Sequence, residues 1–92
     1  MKYIMFRRQV GDMQQDIPVM FPNTLNHSEV AEALKNAVRV NGGPDPVVVG
    51  AGEVILAGAT CVGSSESLGV KSRGRVDARI IDYGEYTGGW VV

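Results

Sequence analysis

A chain of 92 residues makes one domain with a single modest core, burying roughly 60 to 65% of its unfolded surface. Its 45% hydrophobic and 21% charged residues are the proportions of a folded protein, and a net charge of −1 excludes the broad basic surface by which proteins capture long nucleic acids. The single cysteine, Cys61, excludes an internal disulfide, and the opening "MKYIMFRRQ" lacks the apolar stretch and cleavage site of a signal peptide, so a cytoplasmic protein is expected.

In chain order, "KYIMFRRQ" and "QQDIPVMF" are rich in β-forming residues and flank "VGDM", whose Gly-Asp pair suits a tight turn; they predict a hairpin. Pro18 has no amide to donate, which places the second strand at a sheet edge or makes it irregular there. Asn26 followed by Glu29 has capping-box spacing, and Val30, Ala33, Leu34, Ala37 and Val38 recur at helical period up to Arg39. Glu29, Glu32, Lys35, Asn36 and Arg39 make the opposite, solvated face. "VNGGPDP" stops this helix, with Gly42 and Gly43 as cap candidates and Pro44 and Pro46 barring continuation. A second hairpin is predicted from about Val47 to Leu56 and Ala59 to Ser65, turning at Ala57 and Gly58. Ser72 then caps a short helix whose apolar face is Val76, Ile80 and Tyr83 or Ile81, ending at Gly84.

The order ββαββα predicts an α+β, two-layer fold: a four-stranded, mainly antiparallel sheet with two helices on one face. The whole chain, 1–92, is one domain with a flexible tail from about residue 84. The apolar run from Val47 to Gly63 is too short for a membrane span of about 20 residues; it carries Glu53 and four glycines and reads as two buried strands.

Two phosphate-binding signatures fail on inspection. "VVVGAG" starts like a dinucleotide fingerprint, yet Ile55 stands where the third glycine belongs, and strand follows instead of helix. "GSSESLGVKS" resembles a P-loop but has five residues between its glycines, and Val70 separates Gly69 from Lys71. What remains is physical. A strand-to-helix junction presents free amides and a helix dipole to an anion. Ser64, Ser65 and Ser67 supply hydroxyls, Gly69 permits close backbone approach, and Lys71, Arg73 and Arg75 supply charge, with amides near Ser72. Lys71 and Arg73 are the expected charge partners, because Arg73 and Arg75 diverge on a helix that advances about 100° per residue. The same residues equally suit an ordinary loop ending in a serine cap.

No catalytic set assembles elsewhere. His27, the only histidine, has no partners at metal-ligand spacing, and no cofactor is indicated. Cys61 sits in an apolar run as a small hydrophobe, Asp77 and Asp82 fall on different helix faces, and Glu53 suits an edge-facing strand position. Trp90, Val91 and Val92 follow a Gly-Gly pair, and so apolar a terminus is expected to dock on the core or on another copy, giving a homo-oligomer.

The opening hairpin, the "HSEVAEAL" helix, the "AGEV" strand and the "CVGSSESLGVKSR" junction before "DARII" together resemble small accessory proteins of tailed bacteriophages and prophages. That resemblance implies a non-enzymatic protein of the host cytoplasm that counters bacterial defence by sequestering a nucleotide signal or by masking a host defence protein. Three functions follow: a binder of a nucleotide or phosphorylated small ligand at Ser64 to Arg75, a protein–protein inhibitor or structural module, and, last, a small nucleotide-acting hydrolase, for which no base and nucleophile are evident.

Overall fold

The computed structural model describes residues 1–55, 59–82 and the backbone of 90–91. Strands β1 (Lys2–Val10) and β2 (Met13–Phe21) form the first hairpin in unbroken register from Lys2 opposite Phe21 to Val10 opposite Met13. Gly11 takes φ +60° at its turn, a left-handed conformation that costs glycine nothing and lets two residues reverse the chain. Helix α1 (His27–Val38) begins where Asn26 caps it, its Oδ1 accepting from the Ser28 amide at 2.9 Å. Strands β3 (Val47–Ile55) and β4 (Thr60–Val62) form the second hairpin, whose tip at Ala57 and Gly58 lies outside the described residues.

The main sheet runs in the order β4-β3-β1-β2, all antiparallel, and beyond β2 a short strand β7 (Trp90–Val91) pairs in parallel with Val19 and Met20. Pro18 sits on the outer of the four antiparallel strands, opposite Met5, but not at a free sheet edge, since β7 pairs beside it at Val19 and Met20. Of the tail expected to be flexible, Trp90 and Val91 join the chain's own sheet by their backbones; Val92 and the residues from 83 to 89 lie outside the described residues.

The α+β class, the two helices and the four antiparallel strands are as the sequence predicts, but the two helices lie on opposite faces of the sheet. Side chains of a strand alternate in direction, and β1 is buried on both sides. Ile4 and Phe6 join Ile17, Val19 and Phe21 beneath Val30, Ala31 and Val38 of α1. Tyr3 and Met5 join Met20, Val54 and Cys61 beneath Ile81 of the second helix, α2 (Arg75–Asp82). A continuous "YIMF" run is what a strand covered on both faces requires, and covering both faces takes one helix on each.

Both helices also turn slightly from the expected faces. In α1 the buried stripe is Val30, Ala31 and Val38 with Leu34 half-buried, while Ala33 and Ala37 are exposed. In α2 the inward residues are Asp77 and Ile81, which leaves Val76 51% exposed. A carboxylate thus occupies the place where a valine was expected.

Candidate functional site

The stretch from Gly63 to Ser72 does not run from strand into helix. It folds back on itself as a two-stranded ribbon, β5 (Ser64–Ser65) with β6 (Val70–Lys71), pairing Ser64 with Lys71 and Ser65 with Val70. The Ser72 amide closes its base by donating to the Gly63 carbonyl at 2.9 Å. Ser65 is buried, and its Oγ accepts from the Leu68 amide at 3.2 Å. Half-buried Leu68 packs on the α1 side of the core. The Ser65 hydroxyl thus braces the ribbon's own turn, Leu68 anchors it to the core, and Gly69 lies exposed.

One wall of a cleft of about 530 Å³ is this ribbon, through Ser64, Ser65, Glu66 and Ser67; Lys2, Asn26, His27 and Glu53 complete it. A volume of that order accommodates a small ligand. Each contributor has a local reason to be there. Lys2 and Glu53 are direct cross-strand neighbours on β1 and β3, and the Lys2 ammonium donates to the Leu25 carbonyl at 2.8 Å. Asn26 and His27 are the cap and first residue of α1. The Ser67 hydroxyl donates to Asn26 Oδ1 at 3.1 Å, tying ribbon to helix. His27 is 7% exposed, its ring edge-on to Phe21 with centroids 5.3 Å apart, and its Nε2 lies 2.9 Å from the Gly52 carbonyl of β3.

The basic residues of the stretch separate. Lys71 is exposed, carries no partner among the described residues, and stands on β6 directly across from Ser64 of the cleft wall. Arg75 borders a second, smaller hollow of about 330 Å³ with Thr60, Cys61, Gly74 and Ala78. Arg73, expected as an anion partner, is consumed inside the protein: Nε donates to Asp77 Oδ1 at 2.8 Å and Nη2 to Asp16 Oδ2 at 3.1 Å. A guanidinium already facing two carboxylates has no charge left to offer a phosphate. Ser72 is likewise occupied, its Oγ accepting from the Gly74 amide at 3.0 Å and lying 2.7 Å from the Tyr3 hydroxyl.

Those contacts belong to a buried polar network on the α2 side of the sheet. Asp77 is fully buried, and its Oδ2 accepts from the Tyr3 hydroxyl at 2.6 Å and from the Arg73 amide at 2.9 Å. Arg7 closes the far end with two bonds to Asp16, at 2.8 and 3.2 Å. Burial, reinforced by the neighbouring Asp77, pushes the Tyr3 phenol far above its ordinary range. Burial and the same carboxylate push the Cys61 thiol up to about 11, which makes it an unreactive thiol at neutral pH. Burial also pushes the Asp16 carboxyl up, but the hydrogen bonds and charges of Arg7 and Arg73 outweigh it and hold Asp16 below the usual carboxylate range.

A group whose pKa is lower in the folded chain stabilises the fold above its unfolded value, about 4 for aspartate, and loses that contribution as pH falls through the lower folded value. The urea midpoint is therefore expected to fall as pH drops below about 4, and Asp16→Asn to flatten that part of the profile; an unchanged slope in the variant would remove Asp16 from the account.

Of the residues the sequence pointed to, Ser64, Ser65 and Ser67 line the cleft and Lys71 stands beside it on β6; Lys2, Asn26, Glu53 and His27 were not recognised as cleft residues. The last had a signal: a histidine directly after an N-cap lies at the helix start, where the chain turns back toward the sheet. Among the described residues no group of three or more His, Cys, Asp or Glu side chains is placed to hold a metal ion, and no helix is long and apolar enough to cross a membrane. Comparison with known protein families, characterised proteins and solved structures finds no match to this chain.

Proposed function

We propose that this chain is a non-catalytic binding protein for a small nucleotide-like ligand, held with its polar body in the cleft and its phosphate at the rim. The observation that carries this is the double position of Ser64, which lines the cleft and pairs across the ribbon with unpartnered Lys71. Directly opposed residues have their Cβ atoms about 4.5–5.5 Å apart, so the ammonium of Lys71 reaches an anion that the Ser64 hydroxyl also touches. Glu53 and Glu66 disfavour phosphate inside the cleft and accept from hydroxyl or amino groups instead. This polarity orients a ligand that has a donor-rich end and an anionic end. In the setting implied by the resemblance to phage accessory proteins, binding of this kind withdraws a nucleotide signal without chemical change.

Titration calorimetry with mononucleotides and cyclic dinucleotides tests this reading. Lys71→Ala is expected to weaken binding by roughly tenfold, the scale of one charge-assisted hydrogen bond, and to flatten its dependence on salt. Arg73→Ala, by contrast, should act mainly on stability. A wild-type chain that binds none of the panel ends the proposal.

A second reading, masking of a protein partner, draws on Ile55 and Val62. They are 59% and 49% exposed and lie diagonally on one face of the β3–β4 hairpin, since Glu53 pairs with Val62 and Ile55 with Thr60. A stable complex that Val62→Asp disrupts, formed by a chain that binds no nucleotide, favours this second reading.

A further inference from the structure

We infer that His27 sets which ligand the cleft accepts, selecting a nucleotide whose base carries an amino group over one with an oxo group in its place; this rests on the nucleotide-binding reading above. A carbonyl oxygen only accepts, so the 2.9 Å contact between His27 Nε2 and the Gly52 carbonyl puts the imidazole proton on Nε2. Nδ1 is then a lone-pair acceptor. Nothing among the described residues donates to it, and the one buried side-chain nitrogen or oxygen without a partner among them is Arg39 Nε, at the opposite end of α1. His27 borders the cleft with Nε2 committed to Gly52, so Nδ1 is the ring nitrogen left for a ligand there.

The neighbours add to the same preference. Glu53 and Glu66 present carboxylates, which accept. Asn26 Oδ1 is filled by the Ser28 amide, the Ser28 hydroxyl and the Ser67 hydroxyl, so it competes for no ligand proton. Beside the Lys2 ammonium, which already donates to the Leu25 carbonyl, the wall offers the acceptors of Glu53, Glu66 and a histidine that the backbone holds in a fixed tautomer. An amino group on a base brings N–H donors to this wall. An oxo group at that place sets lone pair against lone pair and leaves Nδ1 desolvated without a bond, the asymmetry by which polar sites reject near-isosteres.

Cytidine 5′-monophosphate and uridine 5′-monophosphate differ in this one substituent and its ring tautomer, and calorimetry of the full chain with both is the test. The wild type is expected to bind the cytidine compound about tenfold tighter, the factor for one well-placed hydrogen bond. His27→Gln keeps an N–H for Gly52 but has no acceptor at the Nδ1 position, and should bring the two affinities within about twofold. Imidazole ¹⁵N spectra of the unaltered protein give a readout independent of the variant: Nδ1 shifts with the cytidine compound and not with the uridine one, and Nε2 remains protonated. Equal affinities in the wild type, or an Nδ1 signal indifferent to both, overturns the role of His27 while the binding reading stands. No binding of either compound, or of the wider panel, overturns both.

Discussion

Asp77→Ala is expected to lower stability by about 3–5 kcal/mol, the cost of removing one partner from a buried, hydrogen-bonded charge pair. The carboxylate is fully buried and accepts from three donors: the Tyr3 hydroxyl, the Arg73 amide and Arg73 Nε. Its loss leaves the Arg73 guanidinium with Asp16 alone and Arg73 N–H without an acceptor. Against a total of about 5–15 kcal/mol for a small domain, this change alone brings the chain near its unfolding threshold. Gly50 supplies an internal control, because a Cβ built there would lie 2.2 Å from Asp77 Oδ2. Gly50→Ala should therefore be damaging with Asp77 present and nearly neutral once Asp77 is alanine, a non-additivity that a double-mutant cycle in urea measures directly. Additive effects would mean that helix and strand do not share this space.

Gly52→Ala is the second large effect, and its cause is different. The new Cβ would stand 2.3 Å from the Val62 carbonyl oxygen and 3.3 Å from the Ser64 amide nitrogen, so backbone, not a movable side chain, has to give. Overpacking of this kind costs about 1–3 kcal/mol. The displacement falls where β4 turns into the ribbon, and Gly52 also carries the carbonyl that holds His27. Both walls of the cleft are thus expected to loosen: amide exchange of residues 60–65 should accelerate, and nucleotide affinity should fall more than the loss of stability accounts for. Gly69→Ala is the comparison, since nothing lies within 4 Å of its Cβ position. Its cost is confined to the left-handed φ of +67°, about 1–2 kcal/mol. Similar exchange rates in the two variants would remove the close contact as the cause.

The first hairpin and α1 were legible because their signals are local: a Gly-Asp turn between β-rich runs, and an asparagine cap before a helical period. The sides on which the helices pack were present in the sequence as the unbroken run Tyr3 to Phe6, which calls for cover on both faces. Asp77 was legible only as lying on a different helix face from Asp82; that it faces the core was not, because carboxylates are seldom buried unless paired. The correcting sign was its spacing of four from Arg73 just ahead of the helix, with a glycine strand position free to receive it. The cleft was only half legible. Ser64 and Ser67 stand together in the chain, but Lys2, Asn26 and Glu53 reach them only through the sheet order, and sequence spacing carries no trace of that. The ribbon escaped notice for a related reason: four paired residues closing on a glycine turn are too few for a period to show.

The span of the Tyr3–Asp77 and Asp16–Arg73 contacts bears on the order in which the chain folds. They join residues 74 and 57 positions apart, whereas the first hairpin and α1 close over short loops. Long loops close at a greater entropic cost than local ones, so this latch is expected to form after the hairpin and α1 and to open before them, which unfolding rates of Asp77→Ala would check. Interactions made after the transition state govern the rate of unfolding and leave the rate of folding almost untouched. The buried carboxylate is then a determinant of lifetime: it fixes how long α2, and the ribbon leading into it, stay closed against the sheet once the rest of the molecule is built.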